Sequence, residues 1–359
     1  MFEILSLGAV YFICKKLKSA GVPQSILNIC LTLQILWAVL ASIVGFDFGH
    51  AEYDFFPLHV TEMIRACSVT WAIITLYCFM AFLGVDILTK FVFKKFEHYT
   101  KFKTLCALIL TAAVTLYSMS EAYYVQRRDI TITTKKLPEN IDKIRIAFLT
   151  DVHLGGLYTL SHFEKAMKIV DDASPDIIML GGDVIDGDTS EMTEELELLK
   201  SAAKKARYGA FAVNGNHEHY WILDVDVEGV IRECGYRLLI DERVETAGIT
   251  IIGLEDIPYG WLKIFEKPED KDRFVIVLKH RPGVPFDAEG RFDLMLSGHT
   301  HGGQFWPLGY FKSMAQKSTQ GLSKKAGGLV YVSNGVGFNC AMMRLFVPPE
   351  VTIIDIVKE

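Results

Sequence analysis

The sequence predicts an α/β protein in which an N-terminal helical membrane region is followed by a two-sheet αββα sandwich. Three observations support this prediction. Residues 1–125 contain long apolar segments; short apolar runs separated by polar, Gly-rich turns then alternate with helical patterns; and the last part of the chain consists mostly of strand-like runs. Alternating strands and helices indicate a sheet covered by helices, and the later strands indicate a second sheet.

Length and composition limit the possible classes of function. With 359 residues, the chain is long enough for one large domain and an additional module. The formal net charge of −6 gives no indication of a nucleic-acid partner, and none is expected. The seven cysteines are scattered without a CxxC pair, so we expect small buried side chains rather than a disulfide framework.

Four apolar segments precede residue 125. Segments 22–44, 63–88 and 104–124 are long enough to cross a bilayer core, whereas segment 2–14 is short. A buried soluble helical domain and a cleaved signal peptide fit less well, because the apolar segments are long and continue beyond the first. We therefore predict three to four transmembrane helices within residues 1–125, a linker over 126–143 and a soluble domain over 144–359. This organisation predicts a multi-pass protein of the cell membrane.

The distribution of lysine predicts the orientation in the membrane. Five lysines lie in 90–103 and three in 15–18, whereas 46–62 contains no Lys or Arg and four acidic residues. Loops rich in lysine usually stay in the cytoplasm, so we place both basic loops there. With an even number of spans, the last span crosses the membrane outward after the second basic loop, which places the soluble domain outside. Arg127 and Arg128 favour the alternative, in which the fourth segment lies on the surface or is re-entrant and the domain is cytoplasmic.

Strands and helices alternate after residue 129. Strands are predicted at 144–149, 177–180, 209–213, 236–240, 249–254, 274–278, 292–296, 329–333 and 351–357. Helices are predicted to begin near residue 161 and to occupy 191–206 and 225–234, because their apolar positions fall on one face.

Side chains that bind metals follow five of these strands. They are Asp151 and His153, then Asp183, then Asn216 and His217, then His280, and finally His299 and His301. Strand ends at one edge of a sheet converge, and the glycines around His299 and His301 allow the two imidazoles to aim at different points. Oxygen and imidazole ligands without thiolates suit Mn, Fe or Zn. Eight such groups exceed the needs of one ion with an open position, so two divalent ions are predicted, with Mn favoured.

The series Asp-x-His, Gly-Asp, Gly-Asn-His-Glu, His and Gly-His-x-His, in this order, resembles the calcineurin-like metallophosphoesterase family. The resemblance covers about residues 144–357, and Gly-His-Thr-His-Gly-Gly-Gln-Phe-x-Pro is similar to the bacterial membrane-anchored phosphodiesterase branch. It implies a metallophosphoesterase sandwich with a dinuclear metal centre, and hence a metal-dependent phosphoric ester hydrolase.

The resemblance also implies a role for each residue. Asp151, His153 and His301 would bind the first metal. Asn216, His280 and His299 would bind the second. Asp183 would bridge both metals, and His217 would be the catalytic histidine near the leaving group.

These roles agree with the chemistry of phosphoester hydrolysis. Two ions about 4 Å apart lower the pKa of a bridging water, so that a hydroxide attacks in line, and they clamp the phosphoryl oxygens. His217 can donate a proton to the leaving group. Arg281 can hold a phosphate through its planar fork, although a surface ion pair is an equal alternative. Glu218 either tunes His217 or is an exposed carboxylate.

The sequence predicts a membrane-anchored phosphodiesterase or pyrophosphatase acting on a lipid-linked or headgroup phosphoester. The main alternative is the UDP-2,3-diacylglucosamine pyrophosphatase of lipid A synthesis, which requires a cytoplasmic domain. A non-enzymatic alternative is a metal-binding scaffold on the same fold. Such scaffolds typically lose ligands, whereas each motif is complete here.

Overall fold

The computed structural model describes residues 2–45, 58–96, 98–155, 160–186, 189, 192–219, 226–256, 265, 272–285, 288–307, 309–310, 320–338 and 341–359. The chain forms two compact units. One comprises Met1–Ser120 with Cys340–Met343, and the other comprises Glu121–Asn339 with Arg344–Glu359.

The described residues of the first unit form four α-helices: α1 (Phe2–Ser19), α2 (Gln24–Gly45), α3 (Leu58–Phe91) and α4 (Thr100–Ala122). Each of the four predicted apolar segments overlaps one of these helices, although 22–44 begins before α2 and 104–124 ends after α4. By length and composition, two stretches among the described residues can cross a membrane, Met63–Phe91 and Thr100–Ala122. The structure thus supports two spans, while the predicted three to four spans and the orientation stay predictions.

Within this unit, an ion-pair cluster joins three helices. The carboxylate of Asp86 on α3 contacts Lys16 on α1 and lies 3.0 Å from Nζ of Lys103 on α4. Apolar contacts support the same arrangement, since Phe12 packs edge-on against Phe79 with ring centroids 5.1 Å apart. The lysine-rich loops of the sequence therefore meet the helix bundle at the ends of α1, α3 and α4.

The second unit is built on two six-stranded sheets. The first contains β1 (Gln126–Thr134), β2 (Lys143–Leu149), β3 (Ile177–Leu180), β4 (Ala210–Ala212), β5 (Arg237–Leu238) and β12 (Glu350–Lys358). Their spatial order is β1-β12-β2-β3-β4-β5. Strand β12 is antiparallel to β2, and all other neighbours in this sheet are parallel.

The second sheet contains β6 (Glu242–Thr246), β7 (Ile249–Leu254), β8 (Val275–Lys279), β9 (Leu294–Ser297), β10 (Gly321–Lys325) and β11 (Gly328–Val332). Their order is β10-β11-β9-β8-β7-β6. The four central strands are parallel, and the edge strands β6 and β10 are antiparallel to their neighbours.

The two sheets pack face to face, and helices cover the first. Phe148 and Met179 of the first sheet share a fully buried core with Ile251 and Leu278 of the second. Helices α5 (Leu160–Ala173), α6 (Thr193–Lys205) and α7 (Val227–Glu233) pack on the other face of the first sheet. The outer face of the second sheet packs against Phe265, among other residues. Parallel strands buried on both faces are expected to be continuously apolar, which explains why the sequence predicted them.

The predicted linker over 126–143 is corrected by the structure. Residues 126–134 form β1, which pairs along its whole length with β12. The physical reason is the alternation of Ile130 and Ile132 with threonines, the period of a strand with one face on a core. Only residues 135–142 connect β1 to β2. The edge strands β6 and β10 were not predicted because they are polar and half-exposed.

Candidate metal centre

The predicted ligands converge where the strands of both sheets end. Asp151 and His153 follow β2, and Asp183 follows β3, all in the first sheet. His280 follows β8, and His299 and His301 follow β9, in the second sheet. Because the two sheets lie face to face with these strand ends on the same side, residues far apart in sequence meet in three groups of three, two of which consist of predicted ligands alone.

The first triad consists of Asp151, His153 and His301. One ligand atom from each lies within 4.8 Å of the others. His301 Nε2 is 3.2 Å from His153 Nε2 and 3.3 Å from Asp151 Oδ1. All three residues are buried. The triad is the set that the family resemblance implies for the first metal.

The second triad consists of Asp183, His280 and His299, again with one ligand atom from each within 4.8 Å of the others. His280 Nε2 is 3.1 Å from Asp183 Oδ2 and 3.2 Å from His299 Nδ1. His299 and His301, two residues apart, therefore belong to different triads, as the glycine-flanked turn predicts.

Two glycines leave room for the carboxylates. A Cβ atom on Gly298 would lie 2.1 Å from Asp151 Oδ2, and one on Gly215 would lie 2.2 Å from Asp183 Oδ1. Both distances are too short for any side chain. The space instead admits the backbone N–H of His299, which donates to both Asp151 oxygens at 2.9 and 3.0 Å.

The backbone of the centre is held in an unfavourable conformation. Five ligand candidates have positive φ angles between 49° and 67°: Asp151, His153, Asp183, His299 and His301. Residues other than glycine adopt this region rarely and at a cost of about 1 kcal/mol or more each. Such concentrated strain indicates that the fold is arranged to aim these side chains at common points.

Hydrogen bonds set the orientation of two imidazoles. His153 Nδ1 is 2.7 Å from Asp186 Oδ2, and His280 Nδ1 donates to the Gly181 carbonyl at 2.8 Å. In each case the Nε2 atom points into its triad. Histidines that bind metals almost always have their other nitrogen fixed to a carboxylate or carbonyl in this way.

The charges of the two triads are complementary to cations. Burial alone would lower the pKa of His153, but the Asp186 carboxylate outweighs it and raises the pKa to about 9. Likewise, Asp183 outweighs burial at His280 and raises its pKa to about 9. Burial, and then the positive charge of His280, lowers the pKa of His299 to about 4. Burial, and then the charge of His153, lowers the pKa of His301 well below its usual value. Each triad therefore attracts one positive charge, and its buried oxygen and nitrogen donors fit a divalent ion.

His217 stands beside the second triad. Its backbone N–H donates to Asp183 Oδ1 at 2.9 Å, and its Nε2 is 3.8 Å from Asp183 Oδ2. Its Nδ1 lies 2.9 Å from Asp186 Oδ1. Burial would lower the pKa of His217, but its hydrogen bond to the Asp186 carboxylate outweighs burial and raises that pKa.

Three residues at the centre were missed or misjudged from the sequence. Asp186 contacts both His153 and His217, and its signal was the second aspartate of Gly-Asp-Val-Ile-Asp-Gly. Glu218 accepts hydrogen bonds from the backbone N–H groups of Asp183, Val184 and Gly215, at 2.7–2.9 Å, so it braces two ligand loops. It is neither an exposed carboxylate nor a partner of the His217 ring in these contacts.

The third is Arg344, a fully buried arginine with no local signal in the sequence. Its guanidinium donates to the carbonyl oxygens of Asn334 at 2.8 Å and Val347 at 3.1 Å. One of its nitrogens lies 3.3 Å from His301 Nδ1. The arginine therefore positions the last histidine of the first triad.

The two remaining predicted residues belong to neither triad. Asn216 is half-buried. Both of its neighbours in sequence, Gly215 and His217, have their backbone close to the Asp183 carboxylate. Arg281 is 47% exposed and lies 3.3 Å from a carboxylate oxygen of buried Asp256. The ion pair considered as an alternative is therefore present, while the guanidinium keeps an accessible side.

The chain is similar to several known proteins. The model of the calcineurin-like phosphoesterase family matches residues 144–303. A protein of Aquifex aeolicus, named an uncharacterized metallophosphoesterase, is 34% identical over 251 residues, which cover 67% of this chain and 95% of that protein. A metallophosphoesterase of Helicobacter pylori is 26% identical over 338 residues and covers 90% of both chains.

A protein of Danio rerio, named a transmembrane protein with metallophosphoesterase domain, is 29% identical over 277 residues. The alignment covers 70% of this chain and 62% of that protein. Among solved structures, a dimetal phosphatase from Danio rerio is 12% identical, with 55% of this chain and 88% of that chain covered and a TM-score of 0.35.

Proposed function

Since the chain belongs to the calcineurin-like phosphoesterase family and is thus a metal-dependent phosphoesterase, we propose that it is a membrane-anchored phosphodiesterase or pyrophosphatase acting on a lipid-linked or headgroup substrate. The observation that carries the proposal is the pair of triads at the ends of β2, β3, β8 and β9, in which every residue except the half-buried His299 is buried. Two adjacent sites of oxygen and imidazole donors are the arrangement that two-metal hydrolysis requires.

We assign the first ion to Asp151, His153 and His301, and the second to His280, His299 and Asn216. Asp183 supplies the bridging carboxylate. When bound, the two ions lower the pKa of a water and neutralise the phosphoryl oxygens. Mn is the favoured ion for a site without thiolates, with Fe and Zn as the other candidates.

His217 is assigned to the leaving group. Its Nδ1 is held by Asp186, which turns Nε2 toward Asp183 and the second triad. A histidine oriented in this way can donate a proton to the departing alkoxide or phosphate. Arg281 is assigned to the substrate phosphate, because the guanidinium edge that does not face Asp256 remains accessible.

Membrane attachment follows from the N-terminal helices. Two are long and apolar enough to span a bilayer, and relatives in Danio rerio and Bos taurus are named transmembrane proteins. We propose a multi-pass arrangement with an extracytoplasmic catalytic unit, supported by the lysine-rich loops of 15–18 and 90–103. Labelling of single cysteines near the C-terminus from each side of intact membranes tests the orientation; labelling from the cytoplasmic side alone contradicts it.

Hydrolysis of bis-p-nitrophenyl phosphate with added Mn²⁺ tests the enzymatic assignment. The detergent-solubilised full chain is expected to turn over this diester, and Asp183→Ala is expected to abolish turnover. A suitable control is Asp172→Asn, which changes an exposed carboxylate on α5. Equal, slow rates for the wild type and Asp183→Ala would identify the chain as a scaffold rather than an enzyme.

A substrate panel separates the remaining alternatives. It consists of phospholipids, lipid-linked diphosphates and nucleotide-linked lipids, each presented in mixed micelles to the purified chain. Cleavage of a lipid phosphoester without cleavage of the nucleotide-linked lipid supports the proposal. Preferential cleavage of UDP-2,3-diacylglucosamine supports the pyrophosphatase alternative and, with it, a cytoplasmic catalytic unit.

A further inference from the structure

Four aromatic side chains of the second unit are exposed, on three segments that hydrogen bonds connect. They form a cluster here named the aromatic rim, and its members are Tyr124 (66% exposed), Trp306 (46%), Tyr310 (61%) and Phe346 (63%). The rings of Trp306 and Phe346 are in edge contact, with centroids 6.2 Å apart. Soluble surfaces expose single aromatic residues, whereas a group of them indicates an interaction site.

The rim is joined directly to the metal centre. Trp306 follows the short 3₁₀ turn His301–Gly303. The backbone N–H of Leu345 donates to the Gln304 carbonyl at 3.0 Å, which ties the two rim segments together. Arg344, two residues before Phe346, reaches His301 at 3.3 Å. Whatever the rim contacts is therefore held beside the first triad.

Phe346 is presented to solvent at a conformational cost. Its φ angle is 60°, a region in which a bulky side chain costs about 1–2 kcal/mol and which glycine or asparagine occupies readily. Its backbone N–H is fixed by the Glu121 carboxylate at 2.6 Å. A turn alone does not need an aromatic residue here, so the exposed ring is the feature that explains the strained position.

Along the chain, the acceptor of this hydrogen bond lies at the end of an apolar helical segment. Glu121 lies in the last turn of α4, which can cross a bilayer, and Tyr124 lies two residues beyond this helix. Tyrosine and tryptophan are enriched at the headgroup level where spans leave the membrane. The exposed Arg128, close by on β1, adds positive charge that phospholipid phosphates attract.

We propose that the aromatic rim inserts into the headgroup layer of a phospholipid bilayer, so that the metal centre opens toward the lipid surface. The proposal rests on the membrane attachment in the proposed function and is independent of hydrolysis. The proposal also indicates the class of substrate. A phosphoester whose phosphate lies in the plane of the lipid headgroups can reach the metal centre without leaving the bilayer.

Quenching of Trp306 fluorescence by spin-labelled lipid tests the proposal. The full chain is placed in phosphatidylcholine nanodiscs with or without 5-doxyl phosphatidylcholine, and the emission of Trp306→Phe is subtracted to isolate Trp306. We expect about a twofold or larger loss of the Trp306 emission, because an indole at headgroup level contacts the labelled chains. Equal emission with and without the label would overturn the proposal and leave the rim to a soluble or protein partner.

Two variants sharpen the result. Lys168→Trp in the Trp306→Phe background moves the reporter to an exposed site on α5, and its emission is expected to be insensitive to the label. Phe346→Asn removes the ring while suiting the backbone, and it should weaken quenching of Trp306. If the α5 reporter is quenched as strongly as Trp306, the quenching is not specific to the rim and the proposal fails.

Failure of this proposal is distinguishable from failure of the proposed function. Asp183→Ala is expected to lose hydrolysis of bis-p-nitrophenyl phosphate yet keep the quenching of Trp306, because Asp183 is not part of the rim. An active wild type without quenching would contradict the lipid contact alone. Quenching without Asp183-dependent hydrolysis would contradict the enzymatic assignment alone.

Discussion

Asp186 lies 2.9 Å from the Nδ1 atom of His217 and holds that ring with Nε2 directed toward the second triad. Its other carboxylate oxygen is 2.7 Å from Nδ1 of His153. One carboxylate thus orients both a ligand of the first triad and the histidine assigned to the leaving group. Burial would raise the pKa of Asp186, but the charge of His153 outweighs it and lowers that pKa to about 2, so the carboxylate is ionised at neutral pH.

Asp186→Asn is expected to lower kcat about 10- to 100-fold, the usual effect of removing the partner of a metal-binding histidine. An amide keeps the volume of the side chain but cannot accept from both histidines with a full negative charge. Rates with bis-p-nitrophenyl phosphate at saturating Mn²⁺ provide the measurement, and Asp172→Asn on α5 is the control. Retention of wild-type kcat would show that the contacts of Asp186 with His153 and His217 are not needed to orient the two imidazoles.

His299→Ala and His301→Ala are expected to affect different ions, because the two histidines belong to different triads. His301→Ala should lose mainly the first ion and His299→Ala mainly the second. Metal content after gel filtration, combined with the spin coupling of a Mn pair in electron paramagnetic resonance, distinguishes the cases. Equal loss of both ions in both variants would argue against the division into two sites.

Gly298→Ala is expected to disrupt the first metal site, since the new methyl group would lie 2.1 Å from Asp151 Oδ2. Gly283→Ala is the matched control, because a Cβ atom there meets nothing within 4 Å. We expect Gly298→Ala to bind about one ion fewer per chain at micromolar Mn²⁺, given that displaced ligands leave no closed site. A normal metal content in Gly298→Ala would show that the loop can move to accept the methyl group.

The ion pair between Asp355 and Arg145 is expected to make the stability of the second unit depend on pH. The hydrogen bond from Arg145, at 2.7 Å, is the main cause that lowers the pKa of Asp355 to about 2, with Lys143 contributing. Because the pKa is lower in the folded than in the unfolded chain, the stabilisation is present above pH 4 and disappears as the pH falls toward 2. Asp355→Asn should cost on the order of 1 kcal/mol at pH 7 and nothing near pH 2.

Thermal unfolding of the detergent-solubilised chain between pH 7 and pH 3 measures this difference. Glu359→Gln serves as the control, because its carboxylate is 57% exposed and lies 3.8 Å from Lys135, a contact too weak to affect unfolding. The unfolding temperatures of wild type and Asp355→Asn should converge as the pH falls. A constant gap over this range would mean that the ion pair does not set the acid response.

The sequence predicted the parts of the fold that depend on apolar runs. Strands β3 and β7 have the predicted bounds because each is fully buried and therefore continuously apolar. The ligand triads were also predictable, since histidines and aspartates directly after such strands have few structural roles. His299 and His301 fall in separate triads, as the glycines between the strand and the turn allow.

The features that were not predicted depend on distant partners. Strand β1 is mostly exposed and is stabilised by pairing with β12, a partner that its own alternation of isoleucines and threonines does not reveal. Asp186 and Arg344 act through contacts with histidines more than 30 residues away in sequence. The role of Glu218 also arises only when the loops after β3 and β4 meet, because it accepts from the backbone of both.

The position of β12 has a consequence for biosynthesis. It lies between β1 and β2, so that Gln126 pairs with Glu350 although most of the unit separates them in the chain. During translation, β1 emerges early and must wait without its hydrogen-bonding neighbour until residues 350–358 leave the ribosome. Long-range pairing of this kind slows folding. The nascent chain thus carries β1, the strand that follows its last apolar helix, without its neighbour until the end of synthesis.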